Sequence, residues 1–115
     1  MASNLTFHAL QRNARISPTK VRPSAALIRG KRVEDALNLL RFQPRRGSLI
    51  VRKVLESAVA NASKVGGMDP MDLTVTDARV DIGIVIKRFR CAARGRAAAR
   101  VKKCSHVLVA VGKKI

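Results

Sequence analysis

The chain has 115 residues, 24 of them Lys or Arg against 7 Asp or Glu, for a formal charge of +17 and an isoelectric point near 11.7. That length bounds one domain with a modest core, which a hydrophobic content of 47% suffices to fold. The charge is the footprint of a nucleic-acid partner, and no membrane role is expected: no run nears the roughly 20 apolar residues of a spanning helix, and no cationic face is backed by bulky apolar residues.

Met1 to Gln11 has no cationic stretch leading into a long apolar one, so no secretory leader is expected and the chain should remain in the cytosol. Cys91 and Cys104 should then be free thiols. Leu5, Phe7, Ala9 and Gln11 alternate with Thr6, His8 and Leu10, which predicts a first strand closed by polar residues from Gln11 to Arg15. Ser17-Pro18 predicts an N-cap with proline at the first helical position, opening a helix through Lys20, Val21, Ala25, Ala26 and Ile28 that Gly30 stops. Pro23 falls a turn or so inside it, where a local kink is compatible with the ring.

Glu34 to Leu40 predicts a second short helix with Ala36, Leu37 and Leu40 on one side, ended around Phe42 to Pro44. The third helix, Gly47 to Val65, repeats Val51, Val54, Leu55, Ala58, Val59, Ala62 and Val65 at three- and four-residue spacing. Gly66 and Gly67 end it, and Asp69-Pro70 marks a turn. A strand resumes at Leu73. Leu73 and Val75 are odd-numbered, whereas Ala78, Val80, Ile82, Ile84 and Ile86 are even, so a bulge is expected near Thr76. The return strand, Lys102 to Gly112, sets Val107, Val109 and Val111 on one face and His106, Leu108 and Ala110 on the other.

The fold class is therefore α+β: three helices packed on a small three-stranded antiparallel sheet, with a long basic β-hairpin projecting from the body. Residues 1–115 form a single domain in this reading, with about 83–104 as the arm; a dozen residues at about 3.3 Å each give it a reach of roughly 40 Å. Beyond Asp81 the chain has no acidic residue, yet Lys87, Arg88, Arg90, Arg94, Arg96, Arg100, Lys102 and Lys103 crowd among alanines. Small residues bury too little surface to offset the ordering of mutually repelling cations, so the arm calls for a polyanion.

Arginine suits phosphate because its guanidinium is always charged and presents a planar fork of donors. Gly95 supplies an unusual backbone angle at the turn, and Phe89 is the one aromatic in the arm available to a base. A second basic group, Arg12, Arg15, Lys20, Arg22, Arg29, Lys31 and Arg32, surrounds the first helix ahead of the acids Glu34 and Asp35. Arg45 and Arg46 are weaker candidates, because a cation at a helix start opposes its dipole. The seven acids form no paired motif, no phosphate-binding glycine loop is present, and Cys104 with His106 is too small a set for zinc. A non-enzyme without cofactor or metal is expected. The rival reading is an architectural DNA-binding protein with basic β-arms; the lack of proline between Lys87 and Lys103 favours RNA.

Several stretches, in this order and spacing, resemble the bacterial-type large-subunit ribosomal protein L twenty-two family over nearly the whole chain. They are Ser17-Pro18-Thr19-Lys20-Val21-Arg22, Leu27-Ile28-Arg29-Gly30-Lys31, Lys53-Val54-Leu55-Glu56-Ser57-Ala58, Ala60-Asn61-Ala62, Lys87-Arg88, Ala93-Arg94-Gly95-Arg96 and Ser105-His106. Ala92 stands where that family usually has a basic residue, and Pro23 where it commonly has an aliphatic one. The resemblance implies a structural constituent of the large subunit that binds and stabilises its ribosomal RNA, with the body near the polypeptide exit. It implies a hairpin threaded through RNA so that Lys87, Arg88, Phe89, Arg90, Ala92, Ala93 and Arg94 line the exit tunnel, and it adds His106 to the RNA-facing residues. Neighbouring ribosomal proteins and the nascent polypeptide are the other implied partners, in a cytoplasmic ribosome and without homo-oligomerisation.

Overall fold

A computed structural model describes residues 6–91 and 93–113. In chain order these form β1 (Thr6–Ala14), α1 (Pro18–Ile28), α2 (Val33–Phe42), α3 (Arg46–Gly66), β2 (Leu73–Cys91) and β3 (Ala97–Lys113), with a short 3-10 turn at Pro70–Asp72 and a tight, non-helical turn at Ala93–Gly95. Leu5, expected in the first strand, and Ala92, expected at the tip, lie outside the described residues.

The sheet is antiparallel in the order β1-β3-β2. Register aligns its core side in three rows: Phe7, Val111 and Val75; Ala9, Val109 and Ala78; Gln11, Val107 and Val80. Val107, Val109 and Val111 of β3 are completely buried in these rows. The register shift between Val75 and Asp77 leaves Thr76 as the extra residue, so the expected bulge is present and moves the buried phase of β2 from odd to even positions. A second shift between Ile82 and Val85 was not expected, and the even-numbered apolar pattern stops being a core pattern there: Ile82 and Ile84 are 58% and 59% exposed.

The helices cover the valine side. α3 lies against β1 and β3, α1 against β2, and both α1 and α2 against α3. Val51, Val54, Leu55, Ala58 and Ala62 face the core, as their spacing requires, but Val65, expected to join them, is 79% exposed in the last turn. Close approach of α1 and α3 depends on Gly47, where an added Cβ would stand 3.2 Å from both the Lys20 carbonyl and the Val21 Cα. Beside that crossing, Ser24 and Ser48 pair their hydroxyls at 3.0 Å, and Ser48 donates to Gln43 Oε1 at 3.2 Å.

Local signals in the chain explain the helix ends. Ser17 occupies the N-cap of α1 with Pro18 next, yet its hydroxyl pairs with Thr19 Oγ1 at 2.7 Å instead of capping a backbone N–H. Pro23 sits within α1 on its exposed side, and the Thr19 carbonyl deprived of an N–H partner belongs to an exposed residue open to water. Gly67 closes α3 in the left-handed region, its N–H returning to the Ala62 carbonyl. After α1, the loop pairs with the outer edge of β2: Gly30 N–H donates to the Val75 carbonyl at 3.0 Å and Val75 N–H to the Lys31 carbonyl at 2.8 Å. An otherwise open sheet edge is thereby covered.

Leu55→Ala is expected to lower the unfolding free energy by about 2–5 kcal/mol in a denaturant titration, whereas Val65→Ala should cost less than about 0.5 kcal/mol. Equal losses at the two positions would contradict the packing of α3.

Candidate nucleic-acid interface

Past Ile82 the β2–β3 pair leaves the helices behind and continues to Cys91 opposite Ala97, giving the molecule a long axis of 67 Å against 26 and 20 Å. Every described residue from Lys87 to Lys103 is exposed. At the tip, Arg94 (φ 62) and Gly95 (φ 74) are successive left-handed residues. The glycine was expected in that role; the arginine, placed at the apex of the turn, was not.

Pairing decides which side chains share a face. Ile86 lies opposite Lys102, Arg88 opposite Arg100, and Arg90 opposite Ala98, whereas Val85 faces Lys103, Lys87 faces Val101, and Phe89 faces Ala99. Strand alternation therefore gathers Arg88, Arg90, Arg100 and Lys102 on one face and leaves Phe89, Val85 and Val101 with Lys87 and Lys103 on the other. Arg88 and Arg100 are like charges directly opposed, an arrangement that destabilises a bare hairpin. The ion pairs among the described residues are Arg52 with Glu56 and Arg79 with Asp77, so none of the arm's cations has a carboxylate within 4.0 Å there.

The second basic group divides into separate places. Arg15 and Lys20 meet Lys102 and Lys103 in a cleft of about 550 Å³ at the root of the arm, whose lining also includes Arg46, Ile86 and Val101 and no acidic residue. Arg46 enters because the tight Gly47 crossing carries the start of α3 onto α1 beside Lys20. Its neighbour in sequence, Gly47, was the available signal for this. Arg12 lies instead on the open sheet face with Arg79, Asp81 and His106. Arg29 and Arg32 are exposed but also tie the fold together, Arg29 Nε donating to the Ala78 carbonyl at 2.8 Å and an Arg32 nitrogen to the Met71 carbonyl at 3.2 Å. Lys31 borders a groove beside α2, and Arg22 stands exposed on α1.

His106 is engaged within the chain. Its Nδ1 accepts the Asn13 N–H at 3.1 Å, which puts the proton of the neutral ring on Nε2. Asn13, itself left-handed at φ 54, accepts the Ile84 N–H through Oδ1 at 3.4 Å. Gly83 fills the space between: a Cβ there would stand 3.2 Å from Asn13 Oδ1, the Cys104 carbonyl and His106 Cε1 alike. This knot ties all three strands where the arm departs, at the irregularities of both β1 and β2. Alongside it, the buried Ser105 hydroxyl donates to the Ile16 carbonyl at 2.5 Å.

With this geometry in view, the family model described as Ribosomal protein L22p/L17e matches residues 9–112 of the chain, covering body and arm together. The class is that of the ribosomal proteins of the large subunit, structural constituents of the translation machinery and in general not enzymes. The chain belongs to the Ribosomal protein L22p/L17e family.

Gly83→Val should loosen the knot by about 1–3 kcal/mol, and His106→Ala by about 0.5–1.5 kcal/mol through the orphaned Asn13 N–H. Electron-spin distances between a label on exposed Cys91 and one at Ser57→Cys in α3 should broaden in both variants. Unchanged distributions would show that the arm is aimed by other contacts.

Proposed function

We propose that the protein binds and stabilises folded large-subunit ribosomal RNA, with its body near the polypeptide exit and its hairpin in the wall of the exit tunnel. One observation carries the RNA reading: four cations collected on a single face of the arm, Arg88 opposed to Arg100, without a carboxylate among the described residues within 4.0 Å. Phosphates threaded along that face would convert a repulsion into charge-assisted hydrogen bonds. Lys102 belongs both to that face and to the cleft it lines with Arg15, Lys20, Arg46 and Lys103, so that one RNA segment would pass from arm to root.

The tunnel position rests on family membership. In this reading the whole chain acts as one unit, residues of about 83–104 form the inserted arm, and Lys87, Arg88, Phe89, Arg90, Ala93 and Arg94 approach the nascent polypeptide. Neighbouring large-subunit proteins surround the body, and the working site is the cytoplasmic ribosome.

Replacing Arg88, Arg90 and Arg100 together with alanine should flatten the salt dependence of binding to large-subunit RNA fragments by at most roughly three in log–log slope. An unchanged slope would remove these arginines from the phosphate contacts, and equal affinity for duplex DNA of the same length would favour an architectural DNA-binding protein. For the tunnel, deleting residues 88–100 and closing the strands with a short turn should leave the thermal melt intact and alter chemical reactivity of tunnel nucleotides in reconstituted subunits. Reactivity identical to that of the intact protein would refute the placement of the arm.

A further inference from the structure

The far end of α2 carries an aromatic ring that the fold does not use. Val33, Ala36 and Leu40 are the residues α2 buries, while Phe42, its last residue, is 86% exposed. Phe42 borders a groove of about 580 Å³ together with Lys31, Arg32, Asp35, Asn38 and Leu39. The cations of the groove are Lys31 and Arg32, both exposed. One wall is fixed in place, because the Gly30 and Lys31 backbone is bonded to Val75 at 3.0 and 2.8 Å and Arg32 to the Met71 carbonyl. Asp35 has no cation within 4.0 Å among the described residues, so its carboxylate is free to accept.

A flat ring, one acceptor-only side chain, one amide and a pair of cations are the components that hold an unstacked nucleotide. An apolar protein segment would instead meet Phe42 amid charges it could not neutralise. We propose that this groove binds a single extruded guanine nucleotide of RNA, its base on the Phe42 ring, its edge against Asp35 and Asn38, and its phosphates against Lys31 and Arg32. The proposal rests on the RNA-binding reading above. Guanine is selected because its adjacent N1–H and N2–H donors match the two oxygens of one carboxylate, whereas adenine and uracil offer no such pair.

The test uses the full chain and the large-subunit RNA fragments it binds. Phe42→Ala should weaken binding about five- to a hundred-fold, the range of losing one base stack, without altering the salt slope. Phe42→Tyr should bind as the parent does, and Phe42→Leu should remain as weak as the alanine variant. In NMR titrations, guanosine 5′-monophosphate should shift the Asn38 and Phe42 signals more than adenosine 5′-monophosphate, and Asp35→Asn should abolish that difference. Full affinity in Phe42→Leu would overturn base stacking at this site, and full affinity in Phe42→Ala would leave the groove without an RNA role. Equal responses to the two nucleotides would overturn the guanine assignment. Because these variants act on affinity and the arm variants act on salt slope, loss of this site with a normal arm response leaves the broader RNA reading standing.

Discussion

Pairing of β3 on both of its edges is the constraint from which the molecule follows. The strand must hydrogen-bond to β1 and β2 at once while presenting Val107, Val109 and Val111, all fully buried, to the helices. A one-residue slip would turn those valines to water, so the register of the whole sheet is held by them. The same strand, followed backwards, is half of the arm. Body and arm are thus a single continuous ladder, and the direction in which the arm leaves is set by core packing together with the Asn13–Gly83–His106 knot at its base.

The division between burial and charge along this ladder is sharp. Up to Val80 the core side of β2 is closed by helices, and hydrophobic transfer stabilises it. From Lys87 to Lys103 every described residue of the hairpin is exposed, and its backbone hydrogen bonds hold strands whose cations oppose one another. A hairpin of two strands alone is marginal in water. On its own the arm is therefore held weakly, while the body is stabilised by its own core.

Much of this was legible in the chain, and the reasons differ from element to element. Three- and four-residue spacing identified α3 to within a residue at each end, because an amphipathic face is a local property. The change from odd to even apolar positions located the Thr76 bulge for the same reason. Val65 fits the helical period but lies beyond the surface that the sheet can cover, which is a tertiary fact. The second irregularity at Gly83 was hidden because Ile82, Ile84 and Ile86 continue an alternation that no core enforces. Among the basic residues, type and charge were readable, but their grouping was not: Arg46 joins the root cleft through a helix crossing, and Arg29 and Arg32 spend donors on carbonyls distant in sequence.

The extra residue between Ile82 and Val85 has an effect out of proportion to its size. On β3 the alternation of Lys102, Arg100 and Ala98 is fixed by the valines further along the strand. On β2 the inserted residue inverts parity, which is why Arg88 and Arg90 fall on the side of Arg100 and Lys102. Without it the same amino acids would form an arm of identical net charge with three of these cations on each face, Arg88, Arg90 and Lys103 against Lys87, Arg100 and Lys102, in place of four against two. One backbone residue thus biases an evenly basic ribbon toward one face and brings every arginine of the arm's paired strands onto it, an asymmetry that composition alone does not contain.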